Sequence, residues 1–236
     1  MAKIVGIKGV LFDFDETLNN TLLGSEKAWD EVSNVIQEYL DSHQILVDRN
    51  DLLHEIKQID YIMNRKSHYN RDEWWDQLLC NKIGNSPPKD VVAQITTTYW
   101  DAIVEGSQLY PDTLNVLKYL TEKKYQLGLM SDTDQLPGMK RWRIKQSGLE
   151  KWFDAIVISG EDGFPTKPSP EPYHELVNQM NLSPKECAFI GDKPFTDIKG
   201  ANDVGMVSIL VKRHKWDPIV EPDYYVNSLS ELKQIL

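Results

Sequence analysis

Two carboxylates, Asp13 and Asp15, stand two residues apart where an apolar run over 4–14 ends, and the hydroxyl of Thr17 follows them. Carboxylates this close take different jobs when their surroundings separate their pKa values: one stays ionised and attacks, the other carries a proton. Three further polar sets follow apolar runs or a rigid loop. Ser131 comes after the run 126–130 and offers a hydroxyl to a phosphate oxygen. Lys167 lies in the proline-rich loop 163–170 and supplies a compact positive charge. Asp192 and Asp197 follow the run 188–190 and offer oxygens to a hard cation such as Mg²⁺, which uses few carboxylates and keeps several waters. Taken singly, each set has an ordinary explanation: a turn serine, a surface lysine, a carboxylate in a first helical turn. Taken together they close one reaction. Asp13 attacks phosphorus, Lys167 and Mg²⁺ neutralise the phosphoryl oxygens, Ser131 positions them and Asp15 handles the leaving-group proton. Phosphoryl transfer needs mainly such positioning and electrostatics.

For these groups to meet, their strands must lie in one parallel sheet, because open α/β sheets gather ligands beyond the carboxyl ends of their strands. The patterning predicts that sheet. Strand-like runs over 126–130, 155–158, 188–190, 207–211 and 224–226 alternate with helical patterns over 112–123 and 170–180. Residues 20–107 differ: four amphipathic helical patterns and no strand. The first carries Ala28, Val32, Val35, Ile36 and Tyr39. The second starts at the N-cap candidate Asp48, the third at the capping-box-like pair Asn70 and Glu73, and the fourth follows Pro87-Pro88. The expected fold class is α/β: a doubly wound, Rossmann-like parallel-sheet core over 1–19 and 108–236, with an all-helical cap over 20–107.

The bulk composition narrows the function. A net charge of −10 argues against a broad nucleic-acid footprint. No apolar run reaches membrane length. Cys80 and Cys187 make neither a zinc pattern nor a disulfide framework. The expectation is a cytoplasmic protein acting on a small phosphorylated metabolite, with no nucleic-acid or membrane partner. The basic segment 139–145 is expected to be a helix with a solvated face, and Lys212 to Lys215 a solvated turn, with a reach to the site mouth as the alternative. Arg65, Lys66, His68 and Arg71 are expected as solvated charges, with a second-anion site as the alternative. Trp74 and Trp75 are expected in the cap core, with the alternative that one of the adjacent pair, facing differently, lines the cleft.

The four segments resemble the four motifs of the haloacid dehalogenase superfamily. Asp13-Phe14-Asp15-Glu16-Thr17 is similar to its first motif, Ser131 to the second, Lys167-Pro168 to the third, and Gly191-Asp192 through Asp197 to the fourth. The helical insert resembles the cap that members carry between their first and second motifs. The resemblance implies a phospho-aspartate on Asp13 that water then hydrolyses. It implies Asp15 as general acid/base, with its backbone carbonyl on Mg²⁺. Asp13 and Asp192 would be side-chain ligands, and Asp197 would bind through water or orient Lys167. Thr17, Ser131, Asp132 and Lys167 are then expected around the phosphate. Three positions qualify the likeness. Asp15 is an acid that dehalogenase members lack, which points toward phosphate esters. Asp132 stands where many relatives have Asn, and Thr166 where many have Gly. The implied function is Mg²⁺-dependent hydrolysis of small phosphate monoesters. A phosphomutase using the same nucleophile and a non-catalytic ligand-binding regulatory module stand as alternatives.

Overall fold

The computed structural model describes residues 3–66, 68–216 and 220–236, with Arg65 by its backbone only. In chain order the elements begin with strands β1 (Gly9–Phe12) and β2 (Asn19–Asn20). Four helices follow: α1 (Thr21–Ser42), α2 (Arg49–Arg65), α3 (Arg71–Ile83) and α4 (Lys89–Gly106). Then come β3 (Gln108–Leu109), α5 (Thr113–Glu122), β4 (Gln126–Asp132), α6 (Met139–Gln146), β5 (Ala155–Ser159) and α7 (Pro170–Gln179). The chain closes with β6 (Cys187–Gly191), α8 (Lys199–Val204), β7 (Val207–Val211), β8 (Tyr224–Val226) and α9 (Leu232–Ile235). These form two compact units. One holds the chain up to Asn20, Leu109–Thr133 and Pro137–Leu236; the other holds Thr21–Gln108 and Asp134–Leu136. None of the described helices is long and apolar enough to cross a membrane.

The first unit is built on a parallel six-stranded sheet of order β5-β4-β1-β6-β7-β8. Side chains alternate across each strand, so both faces are buried, as a parallel sheet requires. Val10, Phe12, Leu127, Leu129 and Ile190 pack with Val116, Leu117 and Leu120 of α5 and Leu232 and Ile235 of α9. On the opposite face Leu11, Met130, Val157 and Phe189 meet Tyr173, Leu176 and Val177 of α7 and Ala201 of α8. Each fully buried Val, Leu, Ile, Phe or Met among them contributes roughly 1.5–3 kcal/mol. The sheet order puts β1 at the centre, with Phe12 in register with Leu129 on one side and Ile190 on the other. The residues just past Phe12, Met130 and Ile190 therefore emerge together. Strand β1 is shorter than the apolar run that predicted it. Gly6 has φ +82, which turns the chain before the ladder begins at Gly9.

The helical unit joins α1 to α4 at close range: a Cβ on Gly24 would overlap the Ile103 carbonyl. Ala28, Val32, Ile36 and Leu40 form one buried face of α1, spaced by four. Asp48 caps α2 as its sequence position suggests, accepting from the N–H groups of Asn50 at 2.8 Å and Asp51 at 3.3 Å. Asn70 and Glu73 instead bond side chain to side chain at 2.8 Å, with no cap bond from Asn70. Arg71 departs from its expectation as a solvated charge. Its guanidinium is buried 4.1 Å from the Trp74 ring centre and donates to Tyr99 Oη at 3.2 Å, and Tyr99 in turn donates to Asp60 at 3.0 Å. Cation–π contact and a relayed carboxylate thus replace water around the charge. Lys66 is exposed and His68 is half-buried, paired with Glu73 at 3.0 Å, while the Arg65 side chain lies outside the described residues. Trp74 and Trp75 are both fully buried, edge to face at 6.0 Å, as expected of core residues, and neither is left to line a cleft. Tyr69 donates its N–H to Gln135 at 2.7 Å, which ties segment 134–136 to this unit.

Candidate active site

The loop after β1 turns tightly, because the Phe14 carbonyl accepts from both Leu18 N–H at 3.0 Å and Asn19 N–H at 3.1 Å. Glu16 takes φ +59 within it, an uncommon conformation for a residue with a Cβ. Its carboxylate is held by Tyr110 Oη at 2.8 Å and His214 Nε2 at 3.0 Å. Arg213 stacks 3.7 Å from the Tyr110 ring centre, pairs with Asp112 at 3.2 Å and donates to the Thr17 carbonyl at 3.3 Å. The segment expected as a solvated turn thus braces the carboxylate loop. The signal in sequence was weak, since its partners lie about 100 and 200 residues away.

Asp13 ends the central strand, its N–H donating to the Ile190 carbonyl at 2.9 Å. Its carboxylate accepts from Lys167 Nζ at 2.6 Å and Thr17 Oγ1 at 3.3 Å. Lys167 Nζ also donates to Asp197 at 2.7 Å, so one buried ammonium joins two buried carboxylates. Burial pulls the Lys167 ammonium down, but Asp13, Asp197 and Asp132 outweigh it and raise its pKa well above the ordinary lysine range. Burial pushes the Asp13 carboxyl up to about 6 against the pull of Lys167, with Asp197 adding to the rise. Ser131 is buried at the end of β4, its carbonyl accepting from Ser159 Oγ at 3.2 Å.

Asp132, expected beside the phosphate, has a different place. Its Oδ1 accepts from the backbone N–H of Lys167 at 2.9 Å and from Ser159 Oγ at 2.6 Å. A carboxylate has no donor for a phosphate oxygen, whereas these two bonds pin the Lys167 loop to β4 and β5. The lysine is thereby aimed with Thr166, rather than a glycine, before it.

The chain after β6 enters a π-helical turn, Pro194–Ile198, rather than a regular helix. That turn swings Asp197 back toward the strand end, where its Oδ2 accepts from Lys193 N–H at 2.9 Å. Tyr173 Oη fixes the same turn by donating to the Thr196 carbonyl at 2.9 Å. Gly191 makes room: a Cβ there would overlap the Asp197 carboxyl group. We expect Gly191→Ala to cost roughly 1–3 kcal/mol by overpacking and to lower activity through Asp197, measured by urea denaturation and initial rates.

Among the described residues, Asp13, Asp192 and Asp197 each bring a carboxylate oxygen within 4.8 Å of the others. Asp192 is 1% exposed, and among the described residues neither of its carboxylate oxygens has a hydrogen-bond partner. Burial first, then Asp197, Asp13 and Glu16, push its pKa well above the usual range, against Lys193. Buried carboxylates without partners are costly unless something positive completes them. The all-oxygen donor set fits a hard divalent cation.

The Asp15 carboxylate is not in this cluster. It is gripped by the Lys140 ammonium and by Arg143, whose Nη2 lies 2.5 Å from Oδ1 and Nη1 3.3 Å from Oδ2. Lys140 and Arg143 were expected on a solvated helix face; they are 3% and 5% exposed. Their spacing, i and i+3 within a helix, already places both on one face, and that was the signal available in sequence.

The profile of the haloacid dehalogenase-like hydrolases matches residues 7–205. A glyceraldehyde 3-phosphate phosphatase from Methanopyrus kandleri is 28% identical, over 98% of this chain and 97% of its own. The human N-acylneuraminate-9-phosphatase is 24% identical over 98% of this chain and 94% of its own. The crystal structure of a HAD phosphatase from Thermococcus onnurineus superposes with a TM-score of 0.69, at 22% identity and 97% coverage of both chains. The chain belongs to the haloacid dehalogenase-like hydrolase family. Within that family it is an enzyme of the phosphatase kind.

Proposed function

We propose that the chain is a Mg²⁺-dependent phosphatase that hydrolyses small phosphate monoesters through a phospho-aspartate on Asp13. The observation that carries this reading is the Lys167 ammonium set between Asp13 and Asp197, beside the unpartnered carboxylate of Asp192. Asp13 attacks phosphorus, the bond to the ester oxygen breaks, and Asp15 gives that oxygen a proton. Water then attacks the phospho-aspartate, returns a proton to Asp15 and frees phosphate and Asp13. Thr17 and Lys167 hold the Asp13 carboxylate in place, and Ser131 and Lys167 bind the phosphoryl oxygens. Asp13, Asp192 and the Asp15 carbonyl would hold the cation, with Asp197 linked to it through water and aiming Lys167. When bound, the cation supplies positive charge against the phosphoryl oxygens.

The helical insert, 20–107, acts as a cap that excludes water during the first step. Support comes from its place in the chain, directly after the Asp13–Thr17 segment. The substrate class we assign is a small phosphorylated sugar or its acid, since the relatives are named for such esters. The test is phosphate release from a panel of sugar phosphates and 4-nitrophenyl phosphate, with Mg²⁺ and with chelator. Metal-dependent release is the expected result; an isomeric sugar phosphate with no free phosphate would instead identify a mutase. Lys167→Ala should lower kcat/KM by roughly 10²-fold, as the loss of an electrostatic clamp does. An unchanged rate would remove Lys167 from the reaction.

A further inference from the structure

The basic run on α6 is not part of the Asp13, Asp192 and Asp197 cluster. Lys140 and Arg143 project from successive turns of that helix, are almost wholly buried, and both grip the carboxylate of Asp15. Arg143 spans both oxygens, with Nη2 2.5 Å from Oδ1 and Nη1 3.3 Å from Oδ2, while Lys140 meets Oδ2. Its guanidinium also lies 5.7 Å from the ring centre of Phe14, the residue between the two first-motif aspartates. Two desolvated cations around one carboxylate form a strong, directional clamp, and the planar fork of arginine fixes orientation as a point charge does not.

We propose that Lys140 and Arg143 are positioning residues that set the Asp15 carboxyl group in line for proton transfer with the leaving oxygen. The proposal rests on the reading of Asp15 as the acid–base group. Rate depends steeply on the placement of a proton-transferring group, because held orientation replaces a search in solution. The demand for that placement varies with the substrate. An alkyl phosphate must expel an alkoxide, which leaves only as it is protonated. 4-Nitrophenyl phosphate expels a stable phenolate that needs no proton. The clamp therefore matters for alkyl esters far more than for aryl esters, whereas damage to the fold would depress both alike.

The experiment compares kcat/KM for 4-nitrophenyl phosphate and for the alkyl phosphate that the wild type turns over fastest. The variants are Arg143→Met, Arg143→Lys, Lys140→Met and Asp15→Asn. Asp15→Asn should lower the alkyl-to-aryl ratio by roughly 10²-fold or more. Arg143→Met and Lys140→Met should lower the same ratio by about tenfold or more, mainly through kcat. Arg143→Lys, which keeps the charge and loses the fork, should fall between Arg143→Met and the wild type. If Asp15→Asn shifts the ratio and the clamp variants do not, the positioning role is overturned and the acid–base reading stands. If Asp15→Asn leaves the ratio unchanged, the acid–base reading fails, and the clamp proposal fails with it.

Discussion

Asp13→Asn will abolish turnover, by roughly 10⁴-fold or more, while the protein stays folded. The amide is a poor nucleophile, yet its oxygen still accepts from Lys167 Nζ, which sits 2.6 Å away in the wild type. The buried ammonium also keeps Asp197 at 2.7 Å, so no unpaired charge is created. The substitution has a stability signature too. Burial raises the Asp13 carboxyl from 3.8 to about 6 in the metal-free protein. A carboxyl whose folded pKa is raised contributes stability below its unfolded pKa and loses it as pH rises through the folded one. From this group the wild type in chelator should lose stability as pH rises from about 4 through about 6. Asparagine does not titrate, so that slope should flatten in the variant. Rates on a phosphate ester, with urea denaturation at several pH values in chelator, check both halves. Normal turnover in Asp13→Asn would overturn the nucleophile assignment.

Asp192→Asn is expected to separate stability from activity. In chelator the variant should be at least as stable as the wild type, because it removes one of three buried carboxylates from the cluster. Relief of desolvation and of repulsion from Asp197 and Asp13 acts in that direction. Added Mg²⁺ should then stabilise the wild type by binding its native state, by about 2.7 kcal/mol at a hundred times Kd. The variant should gain far less, and its activity should fall by roughly 10³-fold with the lost charge stabilisation. Thermal melts with and without Mg²⁺ beside initial rates read out all three effects. A variant with an undiminished Mg²⁺ response would remove Asp192 from the metal site.

Sequence was most informative where the chemistry and the element that carries it are adjacent in the chain. Apolar runs ending in Asp13, Ser131 and Asp192 announce strands with polar groups at their carboxyl ends, and a parallel sheet brings such ends together. Period-four spacing along Ala28, Val32 and Ile36 likewise marks a helix whatever it packs against. The misread segments share one cause: their charges are neutralised by partners distant in sequence. Lys140 and Arg143 looked solvated because their carboxylate, Asp15, lies 125 and 128 residues away. Arg71 looked solvated because Tyr99, 28 residues on, and the Trp74 face take the place of water. Asp132 looked like a ligand-facing group because nothing local reveals that the Lys167 N–H, 35 residues away, is its donor.

By itself the sequence determined the fold class and the residue types at the strand ends, since hydrophobic periodicity and adjacency are local properties. Tertiary structure alone decided which carboxylate meets which cation. It joins Asp13 and Asp197 through Lys167, leaves Asp192 without a hydrogen-bond partner among the described residues, and places Asp15 under Lys140 and Arg143. Charge pairing depends on distance and on exclusion of water, and both arise only when the sheet and its helices close around the groups.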